Sequence, residues 1–274
     1  MVGQTFQCLI CGGKDCHKKS PKSLPHIAAL GKSKFISMKR AIFYTALGII
    51  SLSLVFVAYG RSYWYPVYVK YKGKRTVDEV ISEVGAESVS RLKPHFARSG
   101  VTYPPQEITM IAFKDTKELQ LWASDGTKYE LIKTYPILAA SGKLGPKLKE
   151  GDKQVPEGIY EIEYFNPNSS YHLSMKLNYP NSFDAKYAKL EGREFPGTNI
   201  FIHGKSVSIG CLAMGNVAIE ELFTLSNEVG RKNIKVIISP SNPKIRMLEP
   251  PVGSAEWVKI LYKNIEKAIT AVSA

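Results

Sequence analysis

Asn199-Ile-Phe-Ile-His203-Gly204-Lys-Ser-Val-Ser208-Ile-Gly210-Cys211-Leu-Ala-Met214 is a short apolar run that ends in His-Gly and leads into Ser-x-Gly-Cys. The run reads as a strand and the segment after it as a loop that presents Cys211. Cys211 stands eight residues beyond His203. The other three cysteines, Cys8, Cys11 and Cys16, lie far away at the N-terminus, so Cys211 has no evident partner. A cysteine near a histidine is the minimum kit for thiol-based covalent catalysis, because a neighbouring base or cation favours the nucleophilic thiolate. The competing reading is structural: a lone cysteine on an apolar segment is commonly a small buried hydrophobe.

The chain around this stretch alternates. Ile108–Phe113, Lys117–Trp122, Lys128–Tyr135, Glu157–Phe165, Tyr171–Asn178, Asn199–His203 and Ile234–Ile238 all have strand-like patterning. Helical spacing occupies Thr76 to about Arg98, Asn216 to Val229 and Ser254 to about Val272. Asn216 is placed to cap the second of these and Gly230 to end it. Pro94 is expected to kink the first. The body is therefore mainly β with α, an α+β fold with a helix after the cysteine loop and another at the C-terminus. Residues 141–152, Ser-Gly-Lys-Leu-Gly-Pro-Lys-Leu-Lys-Glu-Gly-Asp, read as a solvated, basic, Gly-rich loop or a mobile lid. This loop lacks the Gly-Lys-Ser/Thr ending of a phosphate-binding loop.

The charge is uneven. The formal net charge is +13, but residues 1–75 hold 13 Lys/Arg against one acid, and the remaining 199 residues hold 24 basic against 23 acidic side chains. The body is almost neutral, and the basic excess flanks an apolar segment, Ala41 to Tyr59. That pattern suits a membrane surface better than a nucleic-acid groove. The segment is about long enough to cross a ~30 Å bilayer core. Met38-Lys39-Arg40 before it also resembles the basic start of a signal sequence, so a cleaved signal and an uncleaved anchor both stay open. Tyr63-Trp-Tyr-Pro-Val-Tyr-Val, just beyond, suits interfacial aromatics, a loop or a short strand. Residues 1–37 form a basic tail, or a stretch upstream of a true start at Met38. Cys8, Cys11 and Cys16, with His17 or His26, offer a weak case for zinc.

Read together, these motifs resemble the L,D-transpeptidase (YkuD-type) catalytic domain, whose mark is a strand-end His-Gly followed by Ser/Thr-x-Gly-Cys. The chain is most similar to the murein L,D-transpeptidase YafK-like subgroup. Residues 141–152, Pro156-Glu-Gly, Asn166-Pro-Asn-Ser-Ser-Tyr-His-Leu-Ser174 and Gly210-Cys-Leu-Ala-Met214 carry that likeness, which runs from about Ser90 to about Pro240. Two positions depart from the wider family: Ile209 stands where many members have a second His, and Ala213 where many have Arg. The gap from His to Cys is also short.

The resemblance implies an L,D-transpeptidase-type mixed β-sandwich and a cysteine enzyme acting on peptidoglycan stem peptides, with no cofactor. Cys211 is the expected nucleophile and His203 the base. Gly204 is expected to hold the imidazole tautomer through its carbonyl. The N–H groups of Gly210 and Cys211 are the expected oxyanion donors. Tyr171, His172 and Ser208 are candidates for contact with substrate. The subgroup implies hydrolytic release of peptidoglycan-linked lipoprotein at a diaminopimelate L-centre; the alternative is transpeptidation. The implied layout is a basic tail at 1–37, a signal or anchor at 38–60, and a helical lead-in at 61–104. A catalytic domain at 105–240 and a helical extension at 241–274 follow. The implied location is the periplasm, with the cytoplasmic membrane contacted through 41–59. A non-catalytic wall-binding anchor and a zinc-dependent nucleic-acid binder are the readings from other classes.

Overall fold

A computed structural model describes residues 27–273 and divides the chain into two units, Met1–Ala58 and Tyr59–Ala274. Cys8, Cys11, Cys16, His17 and His26, and with them the zinc reading, lie outside the described residues. In the first unit, α1 (Ile27–Tyr59) contains Met38–Val57, which is long and apolar enough to cross a membrane by length and composition.

The second unit holds the remaining elements. Helix α2 is Arg61–Lys72 and α3 is Val77–Ser99. Three strands follow: β1 (Glu107–Phe113), β2 (Glu118–Ser124) and β3 (Tyr129–Pro136). Next come β4 (Gly158–Ser169), β5 (His172–Leu177), α4 (Ser182–Leu190) and β6 (Phe201–His203). The chain ends with β7 (Leu212–Ala213), α5 (Asn216–Val229), β8 (Ile234–Ser239) and α6 (Trp257–Val272).

The strands form one eight-membered array in the order β3-β2-β1-β8-β4-β5-β6-β7. Strand β4 joins its two halves. Its first residues pair antiparallel with β8, and the rest pair with β5 through two irregularities. Such irregularities bend a strand and increase its twist, which lets one strand serve two ladders. The β1–β8 and β6–β7 pairs are parallel and the others antiparallel. One face buries Met110, Leu121, Tyr160, Met175 and Ile202 in a core shared with α3 and α5. The opposite face of β1 and β8 places Ile111, Phe113 and Ile237 against Trp257, Leu261 and Ile265 of α6. This is why β1 is buried on both sides while β2 alternates. At roughly 1.5–3 kcal/mol for each large apolar side chain fully buried, these two clusters dominate the cohesion of the unit.

Several local expectations change. The 63–69 stretch is neither loop nor strand but part of α2. At helical spacing Tyr65 stacks on Tyr68, with centroids 6.0 Å apart, and the Arg61 guanidinium sits 4.1 Å over the Tyr65 ring. Side chains three and four apart share a helix face, so these contacts outweigh the strand preference of aromatics. Helix α3 begins with a complete capping box between Thr76 and Glu79 and continues through Pro94 to Gly100, which is left-handed. At α5 the cap is Gly215 rather than Asn216. The Asn216 side chain instead accepts a hydrogen bond from the Lys205 N–H at 3.0 Å. Helix α4 and strand β7 were not anticipated.

Candidate active site

The strand-end histidine lies at the inner edge of the β5-β6-β7 ladder. His203 pairs with Ser174 on one side and Ala213 on the other, and only 3% of it is exposed. Its Nδ1 lies 2.6 Å from the Gly204 carbonyl oxygen. A carbonyl can only accept, so Nδ1 carries the proton and Nε2 is left as the basic nitrogen. The Tyr171 ring packs on the imidazole at 4.7 Å between centroids. A side chain at position 204 would meet the Tyr171 carbonyl at 2.6 Å, which is why glycine follows the histidine.

Cys211 immediately precedes β7. Leu212 pairs with Ile202, so continuing the ladder by one residue brings Cys211 level with Phe201, two positions from His203. Alternation then puts Cys211 and His203 on the same face of the ladder. The thiol donates weakly to the Asn199 carbonyl at 3.7 Å.

Two hydroxyls fix the cysteine turn. Ser208 Oγ donates to the Cys211 carbonyl at 2.6 Å and accepts from the Cys211 N–H at 2.9 Å. Ser141 Oγ accepts from the Gly210 N–H at 2.6 Å and donates to the Lys153 carbonyl at 2.7 Å. Both N–H groups expected as oxyanion donors thus have hydroxyl partners in this structure, Ser141 for Gly210 and Ser208 for Cys211. Ser208 clamps the turn from within. Gly210, at φ 96°, occupies a conformation that a residue with a side chain would adopt only under strain.

The loop at 141–152 is largely exposed, as a solvated loop would be, yet it is pinned by its own hydrogen bonds. Asp152 accepts from the Lys147 ammonium and from the N–H groups of Leu148, Lys149 and Gln154. Gln154 holds the carbonyls of Lys143 and Gly145. Behind the loop, fully buried Glu157 accepts from the Gly145 N–H and the Tyr262 hydroxyl and pairs with Lys114 at 2.9 Å. The loop is thus fastened to β1 and α6 and forms a wall beside the cysteine. Lys147, which has few local sequence cues, is 7% exposed in that wall, and its charge favours the Cys211 thiolate.

His172 is occupied elsewhere. Its Nε2–H donates to Glu220 of α5 at 2.7 Å, and Glu220 also pairs with Arg91 at 3.2 Å. His172 thus ties the turn carrying Tyr171 to α5, and it is Tyr171 that touches His203. Lys153, His172, Asn199 and Lys205 all adopt positive φ. Such backbone costs about 1 kcal/mol or more at each residue, and it recurs here in four separate segments: the loop before β4, the start of β5, and either side of β6.

Burial sets the resting charge state. It pushes the Cys211 thiol above its usual value of 9.0, outweighing the Phe201 backbone and Lys147, which favour the thiolate. Burial also pushes His203 below 6.5, against the opposing bond to Gly204. Thiol and imidazole are therefore both neutral near pH 7, and the histidine is already competent as a base. Activity should rise as His203 loses its proton, with an acid limb in kcat/KM centred below pH 6.5 and a plateau through pH 7–8. A profile that instead falls between pH 6 and 8 would show that the protonated imidazole is the working form.

Residues 109–238 match the family described as YkuD, L,D-transpeptidase catalytic domain. The chain is 35% identical over 133 residues to the Escherichia coli protein named "Putative L,D-transpeptidase YafK", a match covering 47% of this chain and 52% of that one. It thus spans about half the length of the curated relatives it matches. Among solved structures, the helical cell shape determining protein Pgp2 of Campylobacter jejuni is 26% identical, covering 50% of this chain and 48% of its own, with a TM-score of 0.40. Bdellovibrio bacteriovorus Bd1075 is 21% identical, covering 62% and 58%, with a TM-score of 0.37.

Proposed function

We propose, on the premise that residues 109–238 belong to the YkuD-type L,D-transpeptidase catalytic domain family, that this chain is an exported cysteine enzyme acting on peptidoglycan stem peptides. The observation that carries the reading is the Nδ1–H bond from His203 to Gly204, which frees Nε2 for the cysteine turn next to it on the ladder. In this scheme Nε2 takes the Cys211 proton as Sγ attacks a diaminopimelate carbonyl at the L-centre. The C–N bond then breaks, the leaving amine takes the proton back from His203, and a thioester remains. Water attacking the thioester releases the peptide acid and regenerates the thiol. An amine attacking it instead forms a new amide.

The outcome we propose is hydrolysis, releasing peptidoglycan-linked lipoprotein. Its support is the YafK-like character of the motifs, together with Ile209 and Ala213, which remove two polar groups common in the wider family. The other outcome is transpeptidation. The apolar stretch in α1 supports export, either as a signal or as an anchor. Purified protein incubated with lipoprotein-linked sacculi and with free tetrapeptide muropeptides is expected to release free lipoprotein without new crosslinked dimers. New dimers or newly attached lipoprotein without release would establish transpeptidation instead.

A further inference from the structure

A cavity of about 610 Å³ opens between α2, which precedes the residues matched by the family model, and the turn joining β4 to β5, which lies within them. Arg61, Trp64, Tyr68, Lys72, Arg75 and His172 line much of it. Its charge is unbalanced. Glu83, the carboxylate among the lining residues, is paired with Arg75 at 2.8 Å. Arg75 is further tied to the Pro167 carbonyl at 2.9 Å. Among the described residues Arg61 has no such partner. Its guanidinium rests on the rings of Tyr65 at 4.1 Å and Trp64 at 5.8 Å, and its Nε is buried without a hydrogen-bond partner. A buried, unpaired guanidinium N–H is unfavourable in the free chain unless a ligand completes it.

A second cation reinforces the point. Lys205 is close enough to Arg61 for their charges to oppose one another. Lys205 follows His203-Gly204 directly, and His172 follows the Tyr171 that packs on His203. Of these residues His172 lines the cavity, one position in sequence from the ring that packs on the proposed base. Its walls offer aromatic faces and its free polar group is a planar, two-pronged donor, the fork geometry that matches a carboxylate.

We infer that this cavity is a subsite for a carboxylate-bearing part of the wall polymer, with Arg61 as its anion-binding group, an inference that rests on the peptidoglycan reading above. A carboxylate there would take the unpaired Nε–H of Arg61 and relieve the Arg61–Lys205 repulsion. The CH faces of the ligand would lie on Trp64 and Tyr68. Helix α2 would then set which substrates are accepted without taking part in the chemistry.

The test uses the full chain in detergent carrying Cys211→Ala, which binds without turnover. It is titrated by calorimetry, at low salt, with a disaccharide tetrapeptide and with the same compound having its carboxylates converted to amides. The acid form is expected to bind about tenfold more tightly. Adding Arg61→Gln should remove that difference while leaving the amide's affinity unchanged, and Arg61→Lys should restore part of it. Circular dichroism confirms folding, and Arg61→Lys carries the comparison if Arg61→Gln fails to fold. Equal binding of the two forms, a preference that survives loss of Arg61, or displacement by anionic lipid vesicles alone overturns the inference. Cleavage of sacculi by the parent enzyme reports separately on the proposed function, so the two can fail independently.

Discussion

Replacing Cys211 with alanine is expected to lower turnover of peptidoglycan substrates by about 10³-fold or more while leaving the unfolding transition nearly unchanged. The large kinetic effect follows from chemistry that no neighbour can supply. Ser208 is the nearest hydroxyl in the turn, but both its donor and acceptor roles are spent on the Cys211 backbone. The small effect on stability follows from the thiol's surroundings. It makes one weak bond, at 3.7 Å, and lies in a half-buried turn rather than in either apolar cluster. Mass spectrometry of the parent chain mixed with substrate should reveal an acyl adduct on Cys211, absent from the alanine variant. Full activity in that variant would discard the thiol mechanism.

The largest effect on stability is expected at Glu221, far from the proposed chemistry. Its side chain is 1% exposed and accepts from Arg91 of α3 at 2.9 Å and Lys133 of β3 at 2.6 Å. It also accepts from the Tyr135 hydroxyl at 2.8 Å. One carboxylate on α5 therefore ties a helix and an edge strand to the core. Glu221→Ala would leave two cations and a buried hydroxyl facing a cavity. Breaking a buried pair typically costs 3–5 kcal/mol. Because Arg91 and Lys133 keep 24% and 22% exposure and can recover some hydration, the lower end, about 3 kcal/mol, is expected. Urea unfolding measures this directly, and a loss under 1 kcal/mol would mean that the network adds little. Glu221→Gln should lose less, because an amide still accepts from Tyr135.

These residues also show which parts of the molecule one sequence makes legible. Cys211 and His203 stand out because reactive side chains are scarce in an apolar stretch, and the tautomer bond to Gly204 follows from a neighbour in sequence. The long strands are visible because side chains alternate between faces. Strand β7 is only two residues long, too short for any period to appear. Helix α2 misleads because Tyr and Val favour strands, and only contacts around Arg61 and Tyr65 favour the helix. Helix α4 did leave a signal: Asn181 and Asp184 form a reciprocal cap, and Phe183 and Tyr187 share a face four residues apart. The partners of the cysteine turn are least legible. Ser141 meets Gly210 across 69 residues of chain, and Lys147 comes from the same distant loop. Contacts at that range depend on how the sheet closes, which no local pattern records.

The raised thiol has a consequence for the protein's durability under the proposed mechanism. Peroxides attack thiolate far faster than thiol, and the first product, sulfenic acid, is rescued only when another thiol is at hand. Among the described residues Cys211 is the one cysteine, so no intramolecular thiol there stands ready to reverse such damage. Burial offsets that exposure to loss, because the sulfur spends its idle time in the form that oxidants attack slowly. In the proposed mechanism reactivity appears when the imidazole removes the proton, which would confine the vulnerable state to the moment of catalysis.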